Sequence, residues 1–421
     1  MTRAQAQRSA STAVIVDAIR TAGTVSRVGL TETTGLTGAT VSTVVRRLID
    51  AGLVVETGRA ESTGGKPRVL LELDPTARYA VGVHLDHASI TCTVTDLAGA
   101  AVALSTRPGP GDRPPAEVLV ETAAEIERLV DEAGVDRDRV LGIGFVAPGP
   151  LTSGGGMHRT PPAMRAWTDY PITAELGRLT GVPVLLENDA TASAIGEHWA
   201  GGTGAETSFA VLYMGTGLGA GLVLDGAAYR GSSGNAGEIG HTSLDLDGPV
   251  CWCGTRGCVE VLAGPAAVVA EVRRSPGSSA GTGLETTGLQ TSVVEEFAAV
   301  ARAAAAGRPD AREALERSAR YVAAAALTVV NLLDVRMLVL TGASLAAAGD
   351  VYLPVVREAL ATSLFARGAL PVDVRLSRTA ATAPALGGAA LVLQTHLVPG
   401  PAHLVPPRPG VPPDETTSLS T

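Results

Sequence analysis

The sequence predicts an α/β body of two lobes, preceded by a small unit of helices and a hairpin. A helix-rich N-terminal stretch ends in two β-rich runs, and after residue 79 short buried-strand runs alternate with long helical patterns. Glycine and proline mark the boundaries between these stretches. The 421 residues, 45% of them hydrophobic, suffice for two or three compact domains, which excludes global disorder and a collagen-like fibre.

The sequence predicts neither a membrane segment nor a secretory leader. The longest apolar stretch, Tyr321 to Leu333, contains Asn331 and is shorter than a transmembrane helix. The N-terminus has only a short apolar run before Asp17 and Arg20, without a small-residue cleavage site. We therefore expect a cytoplasmic protein that does not enter a membrane.

The charge is distributed unevenly along the chain. Residues 1–72 contain nine Lys and Arg and six Asp and Glu, which gives a net charge of +3. Because the whole chain has a net charge of −9, the remaining residues carry −12. A mildly basic unit on an acidic body favours contact between that unit and a polyanion, although +3 alone decides little.

Residues 1–73 are predicted to form a winged helix-turn-helix unit. The predicted elements are helices at about Ser9–Thr21, at Ser26–Thr34 and from Thr37 onward, followed by β-rich runs at Leu53–Glu56 and Val69–Leu73. Gly35 ends the short helix, and Thr37 can cap the next one. An ordinary helical bundle with a basic solvated face would share these helices, but the hairpin after them favours a DNA-binding unit.

In such a unit the outward positions of the second helix of the motif reach base edges in the major groove. Val41, Val45 and Leu48 would then face inward. The residues expected to contact DNA are Ala39, Thr40, Thr43, Arg46 and Arg47 on that helix and Lys66 and Arg68 at the hairpin tip. The arginines would mostly bind phosphate, whereas the alanine and threonines could read a thymine methyl group or a base edge.

The predicted body spans residues 79–397, after a linker at residues 74–78. Its strand candidates are Ala80–Val83, Ile90–Val94, Val140–Val146, Val182–Leu186, Phe209–Tyr213, Gly221–Leu224 and Met337–Leu340. Its helix candidates are Ala116–Glu132, Ile172–Thr180 and Asp310–Leu333. Residues 398–421 contain seven prolines and are predicted to be a disordered tail.

A glycine-rich segment, Gly215-Thr216-Gly217-Leu218-Gly219-Ala220-Gly221, follows the strand candidate Phe209–Tyr213. Its first three residues are called the glycine-rich turn below. Glycines let a backbone approach an anionic oxygen closely, and exposed N–H groups can cradle phosphate. A tight turn between two strands needs the same residues, and the sequence alone favours that interpretation.

A polar segment, Glu187-Asn188-Asp189-Ala190, ends a strand and opens a helix that runs to Trp199. Asn188 both donates and accepts hydrogen bonds and ionised Asp189 only accepts, which suits the vicinal hydroxyls of a sugar. An aspartate there could also take the proton from a hydroxyl that attacks a phosphoryl group. Asn and Asp are also the preferred helix N-caps, so both interpretations stay open.

One histidine and three cysteines form the strongest motif. They are His241, Cys251, Cys253 and Cys258, in the pattern His-x9-Cys-x-Cys-x4-Cys. Four N and S ligands make a full tetrahedral set for structural Zn²⁺, whereas buried cysteines without a ligand rarely cluster three in eight residues between glycines. Because the set is filled, Glu238 and Glu260 remain free for another ligand.

Five segments resemble the ROK family of repressors, open reading frames and kinases. They are GIGFVAPGP (Gly142–Pro150), ENDA (Glu187–Ala190), MGTGLGAG (Met214–Gly221), GNAGEIGH (Gly234–His241) and CWCGTRGCVE (Cys251–Glu260). The resemblance covers roughly Ser9 to Leu397 and implies a two-lobed, actin/hexokinase-like (ribonuclease H-like) body. It also implies a sugar site made of Asn188, Asp189, Glu238, His241 and Glu260. His241 would bind zinc through one ring nitrogen and orient the other toward the sugar.

Two segments depart from the family pattern. Kinases of the family carry Asp-x-Gly-Gly-Thr-Lys after the first strand of the lobe, whereas this chain has His84-Leu85-Asp86-His87-Ala88-Ser89. A neutral imidazole is a poor Mg²⁺ ligand, and the side chains of Asp86 and His87 are expected to obstruct phosphate. A sugar-contacting Asn of many relatives is also replaced within Pro161–Met164. We therefore expect no catalytic residue, with Asp189 as the base if the chain were a kinase.

These observations predict a sugar-responsive transcriptional regulator, specifically a repressor of carbohydrate genes. Its expected partners are operator DNA, a sugar or sugar-phosphate effector, and further copies of itself in a homodimer or homotetramer. Two other functions stay open: an ATP-dependent sugar kinase with an appended DNA-binding unit, and a constitutive DNA-binding protein with a vestigial sugar site. His84 argues against the first, and the intact set Glu238, His241 and Glu260 argues against the second.

Overall fold

The computed structural model describes residues 3–59, 68–152, 154–200, 203, 206–275, 292–369 and 371–397, with side chains described for residues 11–58 and for the later ranges. Lys66 and the predicted tail at 398–421 lie outside these residues. None of the helices in the described ranges is both long and apolar enough to cross a membrane.

The N-terminal unit contains the predicted elements in the predicted order. They are α1 (Arg3–Ala22), β1 (Val25–Ser26), α2 (Arg27–Thr34), α3 (Gly38–Asp50), β2 (Val54–Arg59) and β3 (Val69–Leu73). The hydroxyl of Thr37 accepts a hydrogen bond from the Thr40 N–H and caps α3 as expected. α1 begins at Arg3 rather than near Ser9, and the short strand β1, which was not predicted, pairs with β3 in a sheet of order β1-β3-β2.

The body consists of two lobes with the same sheet topology. The first lobe contains β4 (Tyr79–Leu85), β5 (Ser89–Asp96), β6 (Ala101–Pro108), α4 (Pro115–Glu132), β7 (Val140–Ala147), α5 (Ile172–Thr180) and β8 (Val184–Asn188). After α6 (Asp189–Trp199), the second contains β9 (Phe209–Met214), β10 (Leu218–Leu224), β11 (Ala227–Ala228), α7 (Val259–Ala263), α8 (Pro265–Arg274), α9 (Val293–Ala305), α10 (Pro309–Leu333), β12 (Met337–Thr341), α11 (Ala343–Ala347), α12 (Gly349–Ser363) and β13 (Asp373–Leu376). The helix α13 (Ala383–Leu397) follows.

The sheets have the orders β6-β5-β4-β7-β8 and β11-β10-β9-β12-β13. In each sheet the first three strands in chain order pair antiparallel, and the last two are added in parallel. This duplication agrees with the predicted ribonuclease H-like, two-lobed body.

Helices α6 and α13 pack between the two sheets. α6 contacts β9 and β10 of the second lobe, and α13 contacts β4 and β7 of the first. Glycines allow the close approach, since a Cβ on Gly387 of α13 would overlap the carbonyl oxygen of Ala192, and one on Gly221 of β10 would overlap that of Ala190. α6 is therefore held tightly by both lobes.

Several elements of the body were not predicted. β6 is an edge strand whose side chains alternate in exposure, so it lacks the continuous apolar run of a buried strand. α13 is apolar on all sides because it is buried, and it therefore lacks the helical periodicity that marked α10.

The N-terminal unit and the body share one apolar cluster. Ile15 and Ile19 of α1 belong to it together with Trp199 of α6 and Leu391 of α13. Ala77, inside the segment predicted to be a linker, is also buried in this cluster. The N-terminal unit is therefore packed onto the body through α1.

Candidate functional site

The polar segment after β8 serves both as a helix cap and as part of a site. Asn188 Oδ1 accepts hydrogen bonds from the N–H groups of Ala190 at 2.9 Å and Thr191 at 3.1 Å, so it caps α6. Its Nδ2 amide has no hydrogen-bond partner among the described residues, although the residue is only 8% exposed. The two interpretations of the sequence are therefore compatible, because each uses a different atom of Asn188.

Glu238 lies opposite this cap. A Cβ added to Gly149 would collide with Glu238 Oε1 and would lie 3.1 Å from Asn188 Nδ2. Both side chains therefore face the same glycine of the first lobe, and the absence of a side chain at residue 149 keeps the space between them open.

Glu260 is held in place by two donors. The Trp252 indole Nε1–H donates to Oε1 at 2.7 Å, and the Leu218 N–H donates to Oε2 at 3.2 Å. Trp252 was not predicted as a site residue; its position between Cys251 and Cys253 was the available signal. The tryptophan thus connects the cysteine cluster to the carboxylate.

Two carboxyl groups of this site, those of Asp189 and Glu238, have raised pKa values. Burial raises the pKa of Asp189 well above 3.8, and the charges of Asp86, Glu238 and Glu260 raise it further. Burial, followed by the charge of Glu260, also raises the pKa of Glu238. A ligand that donates hydrogen bonds from several hydroxyls is the partner that such an arrangement favours.

The four predicted metal ligands are brought together. One ligand atom each of His241, Cys251, Cys253 and Cys258 lies within 4.8 Å of all the others. His241 Nδ1 is 3.7 Å from Cys251 Sγ, so this ring nitrogen faces the cysteines. Nε2 is thereby left for another partner, as the resemblance implied. The cluster can hold a metal ion.

The glycine-rich turn joins β9 to β10, as the sequence favoured, and it contacts the segment that departs from the kinase pattern. The Asp86 carboxylate accepts from Thr216 Oγ1 at 2.6 Å and from the Thr216 N–H at 3.2 Å. His84 is buried, and burial lowers its pKa, with the charge of Asp86 opposing. Its imidazole is therefore neutral near pH 7 and lies beside the buried Tyr213 hydroxyl.

Two further contacts connect the lobes around the site. Asn235 accepts from the Leu151 N–H at 2.6 Å and donates to its carbonyl oxygen at 3.2 Å. The Arg159 guanidinium lies 5.7 Å from the centroid of the Trp252 ring. The predicted site therefore lies where loops of both lobes meet.

The predicted DNA-contacting side chains share a surface on α3. Ala39, Thr43, Arg46 and Arg47 are exposed, and Thr40 is partly buried. Neither arginine forms an ion pair within the described part of the chain. Arg68 is exposed beside β3, whereas Lys66 lies outside the described residues.

Comparisons with known proteins agree with this architecture. The chain is 28% identical over 376 residues to a putative xylose repressor of Caldicellulosiruptor sp. (strain Rt8B.4), covering 89% of this chain and 93% of the relative. It is 32% identical over 247 residues to the xylose repressor of Bacillus subtilis (strain 168), covering 58% and 63%. A glucokinase of Thermotoga maritima is 35% identical over 158 residues, covering 36% of this chain and 49% of that enzyme.

Solved structures give the same result. A ROK family transcriptional regulator described as a homologue of the E. coli MLC protein superposes with a TM-score of 0.73 at 25% identity, covering 93% of this chain and 98% of that one. A ROK family glucokinase from Streptomyces griseus, in complex with glucose and AMPPNP, gives 0.63 at 25% identity, covering 74% and 98%. The sequence pattern that defines the ROK family matches residues 80–395 of this chain. The chain belongs to the ROK family.

Proposed function

We propose that this chain is a sugar-responsive repressor of transcription. A relative that matches 89% of this chain is named a putative xylose repressor, and one that matches 58% is named a xylose repressor. The solved structure that covers 93% of this chain is described as a transcriptional regulator. Residues 1–73 would bind operator DNA as a winged helix-turn-helix. Asn188, Asp189, Glu238, His241 and Glu260 would bind the sugar. A homodimer or homotetramer would place two such DNA-binding units on a palindromic operator.

The observation that carries this proposal is a contact between the N-terminal unit and α6, the helix that begins in the proposed sugar site. α6 begins at Asp189, in the proposed sugar site, and ends at Trp199. The Arg20 guanidinium of α1 lies 4.6 Å from the centroid of the Trp199 ring and donates to the carbonyl oxygens of Trp199 and His198. Arg20 therefore satisfies C-terminal carbonyls of α6 and complements the negative end of its dipole.

α6 is a short, rigid connection. Its 11 residues span roughly 16 Å, and the glycine contacts described above hold it between α13 and β10. A displacement at Asp189 therefore moves Trp199, because the helix is packed too closely to bend along its length. The sugar would favour one placement of the N-terminal unit only to the extent that it binds that state more tightly.

The cysteine cluster fits a structural zinc ion. Three thiolates and one imidazole nitrogen are the donor set that Zn²⁺ prefers, and all four residues lie in one loop region between residues 241 and 258. The ion would fix the His241 ring and, through the loop that carries Trp252, the position of Glu260.

DNA binding by α3 can be tested directly. Duplexes selected from random DNA by the full-length protein would supply the operator. Replacing Arg46 and Arg47 with Ala should weaken operator binding and reduce its salt dependence by about two counterions, since each lost phosphate contact removes roughly one. Arg312→Ala with Arg320→Ala, on an exposed face of α10, is the matched control. Equal operator affinity and salt slope in both double variants would contradict the assignment.

The sugar site has a separate test. Glu238→Ala should leave operator affinity without sugar near that of the wild type, while the effect of sugar on operator binding is lost, because the buried site loses a charged acceptor. Fluorescence anisotropy of labelled operator with and without D-xylose, D-glucose or N-acetyl-D-glucosamine measures both quantities. A Glu238→Ala protein that responds to sugar as the wild type does would show that the effector binds elsewhere.

A further inference from the structure

The space at the candidate site, where loops of both lobes meet, is called the cleft. Backbone N–H groups that border the cleft already donate hydrogen bonds to the chain's own carboxylates. The Thr216 N–H, in the glycine-rich turn, donates to Asp86, and the Leu218 N–H, just after it, donates to Glu260. Such a turn is where a phosphate group would find donors. Asp86 is only 6% exposed, and its second oxygen accepts from the Thr216 hydroxyl at 2.6 Å. The carboxylate is thus a fixed internal anion on the turn.

The first turn of α6 is occupied in the same way. Helix N-termini bind anions because their first N–H groups lack partners within the helix. Here the Ala190 N–H donates to oxygens of both Asn188 and Asp189, and the Thr191 N–H donates to Asn188. A phosphate could bind there only by displacing these side chains.

The charge of the cleft is negative and unpaired. Asp86, Asp189, Glu238 and Glu260 form no ion pair within the described ranges. Arg230, which lies nearby, is bound to Glu187 at 2.7 Å. The chain has a single lysine, Lys66, which belongs to the N-terminal unit.

Arg159 is the cation that could oppose this charge. Its side chain is exposed, lies over the Trp252 ring and donates to the Trp252 carbonyl oxygen at 3.4 Å. An exposed arginine is strongly screened by water, so it offsets little of the field of four carboxylates.

We propose that the effector is an unphosphorylated, uncharged sugar and that the cleft rejects phosphate esters of the same sugar, with Asp86 as the residue that enforces this choice. The inference rests on the proposed sugar site and narrows its ligand class. Hydroxyl groups can donate to the free oxygens of Asp189 and Glu238 and accept from Asn188 Nδ2, whereas a phosphate dianion finds acceptors where it needs donors. Its charge also adds repulsion from carboxylates in a partly buried site.

The test compares sugars with their esters on the full-length wild-type protein. Isothermal titration calorimetry compares D-glucose with glucose 6-phosphate, N-acetyl-D-glucosamine with its 6-phosphate, and D-xylose with xylose 1-phosphate. It should show binding of at least one neutral sugar. Its ester should bind at least roughly 100-fold more weakly, as expected for a dianion near several carboxylates.

Two variants test whether Asp86 causes the preference for the neutral sugar over its phosphate ester. Asp86→Asn keeps an oxygen that can accept from Thr216 but removes the charge, so the preference for the neutral sugar should fall by about tenfold. Asp112→Asn, which makes the same substitution at an exposed residue of the first lobe outside the site, is the control and should keep the preference of the wild type. An unchanged preference in Asp86→Asn would overturn the role of Asp86.

The remaining outcomes separate this proposal from the proposed function. An ester that binds the wild type as tightly as its parent sugar, and alters operator binding, overturns the present proposal alone. If no sugar of the three pairs, D-xylose included, and no ester binds or changes operator affinity, both this proposal and the proposed sugar site are wrong.

Discussion

At the scale of single residues, the site uses different atoms of one side chain for different purposes. Asn188 caps α6 through Oδ1, while Nδ2 remains available to a ligand. His241 likewise directs Nδ1 toward Cys251 and leaves Nε2 for another partner. A residue type with two distinct polar atoms can thus support the fold and bind a ligand at once.

The first prediction at the scale of single residues concerns zinc content. The purified protein should contain about one tightly held Zn²⁺ per chain, and Cys253→Ser should lose it together with the response to sugar, because a three-ligand remnant no longer fixes His241. Metal analysis by mass spectrometry checks the content. Cys92→Ser, which changes a buried cysteine of β5 outside the cluster, is the control and should retain the metal. A wild-type protein without zinc would refute the assignment.

The second residue-scale prediction concerns pH. Burial, and next the charge of Asp86, raise the pKa of Asp189 well above 3.8. Sugar hydroxyls donate to the ionised form, so affinity should fall as the pH drops through this raised pKa, by up to about tenfold per pH unit. Above that pKa the affinity should be constant. Calorimetric titration between about pH 5 and pH 8 measures the dependence.

Two variants identify the titrating group. Asp189→Asn should bind more weakly and show a flatter pH profile. Glu197→Gln removes another carboxyl of α6 whose pKa burial raises, but it lies near Ser377 and Thr379, away from the site, and should keep the wild-type profile. A profile that persists in Asp189→Asn would assign the titration to a different group.

At the scale of elements, α6 links the candidate site to the surface on which the N-terminal unit packs. Its N-terminus carries Asp189, its C-terminus carries Trp199, and Gly221 and Gly387 hold its middle. Gly99 permits the close packing of Trp199, since a Cβ on Gly99 would collide with the Trp199 ring. The helix is thus closely packed along its length. Its N-terminus lies in the candidate site, and its C-terminus contacts the N-terminal unit.

Removing the contact between Arg20 and the C-terminus of α6 should uncouple operator binding from sugar binding. Arg20→Ala should keep sugar binding and operator binding but reduce the change in operator affinity that sugar causes, because α1 no longer follows Trp199. Loss of the cation–π contact and hydrogen bonds should also lower the free energy of unfolding by about 1–3 kcal/mol. Anisotropy with and without sugar, together with chemical denaturation, measures these effects.

Arg27→Ala provides the matched control for this prediction. Arg27 lies on the N-terminal unit, where it pairs with Glu56 at 3.0 Å, and within the described part of the chain it forms no hydrogen bond or ion pair with α6. This variant should respond to sugar normally. An equal response in Arg20→Ala and Arg27→Ala would show that the signal takes another route.

At the scale of the whole molecule, the body has the two-lobed fold of the ROK family, which includes kinases. The contact between Asp86 and Thr216 predicts that this chain has no kinase activity. With ATP and Mg²⁺, no sugar of the panel should be phosphorylated above background in a coupled assay. The reason is that Asp86 covers the turn, while neutral His84 replaces the carboxylate of the kinases. Turnover on the order of 1 s⁻¹, typical of a kinase, that disappears in Asp189→Asn would establish the alternative function.

The sequence by itself determined the family, the two-lobed α/β body, the order of the predicted N-terminal elements and the four residues of the cysteine cluster. These features depend on local signals: the periodicity of α3, the cap at Thr37, and the spacing of His241 and the cysteines. Only the tertiary structure decided that Asp86 binds the glycine-rich turn and that Arg20 contacts Trp199. The partners of these pairs are 130 and 179 residues apart in the chain. Which distant residues meet depends on how the lobes and helices pack, and no local pattern records that.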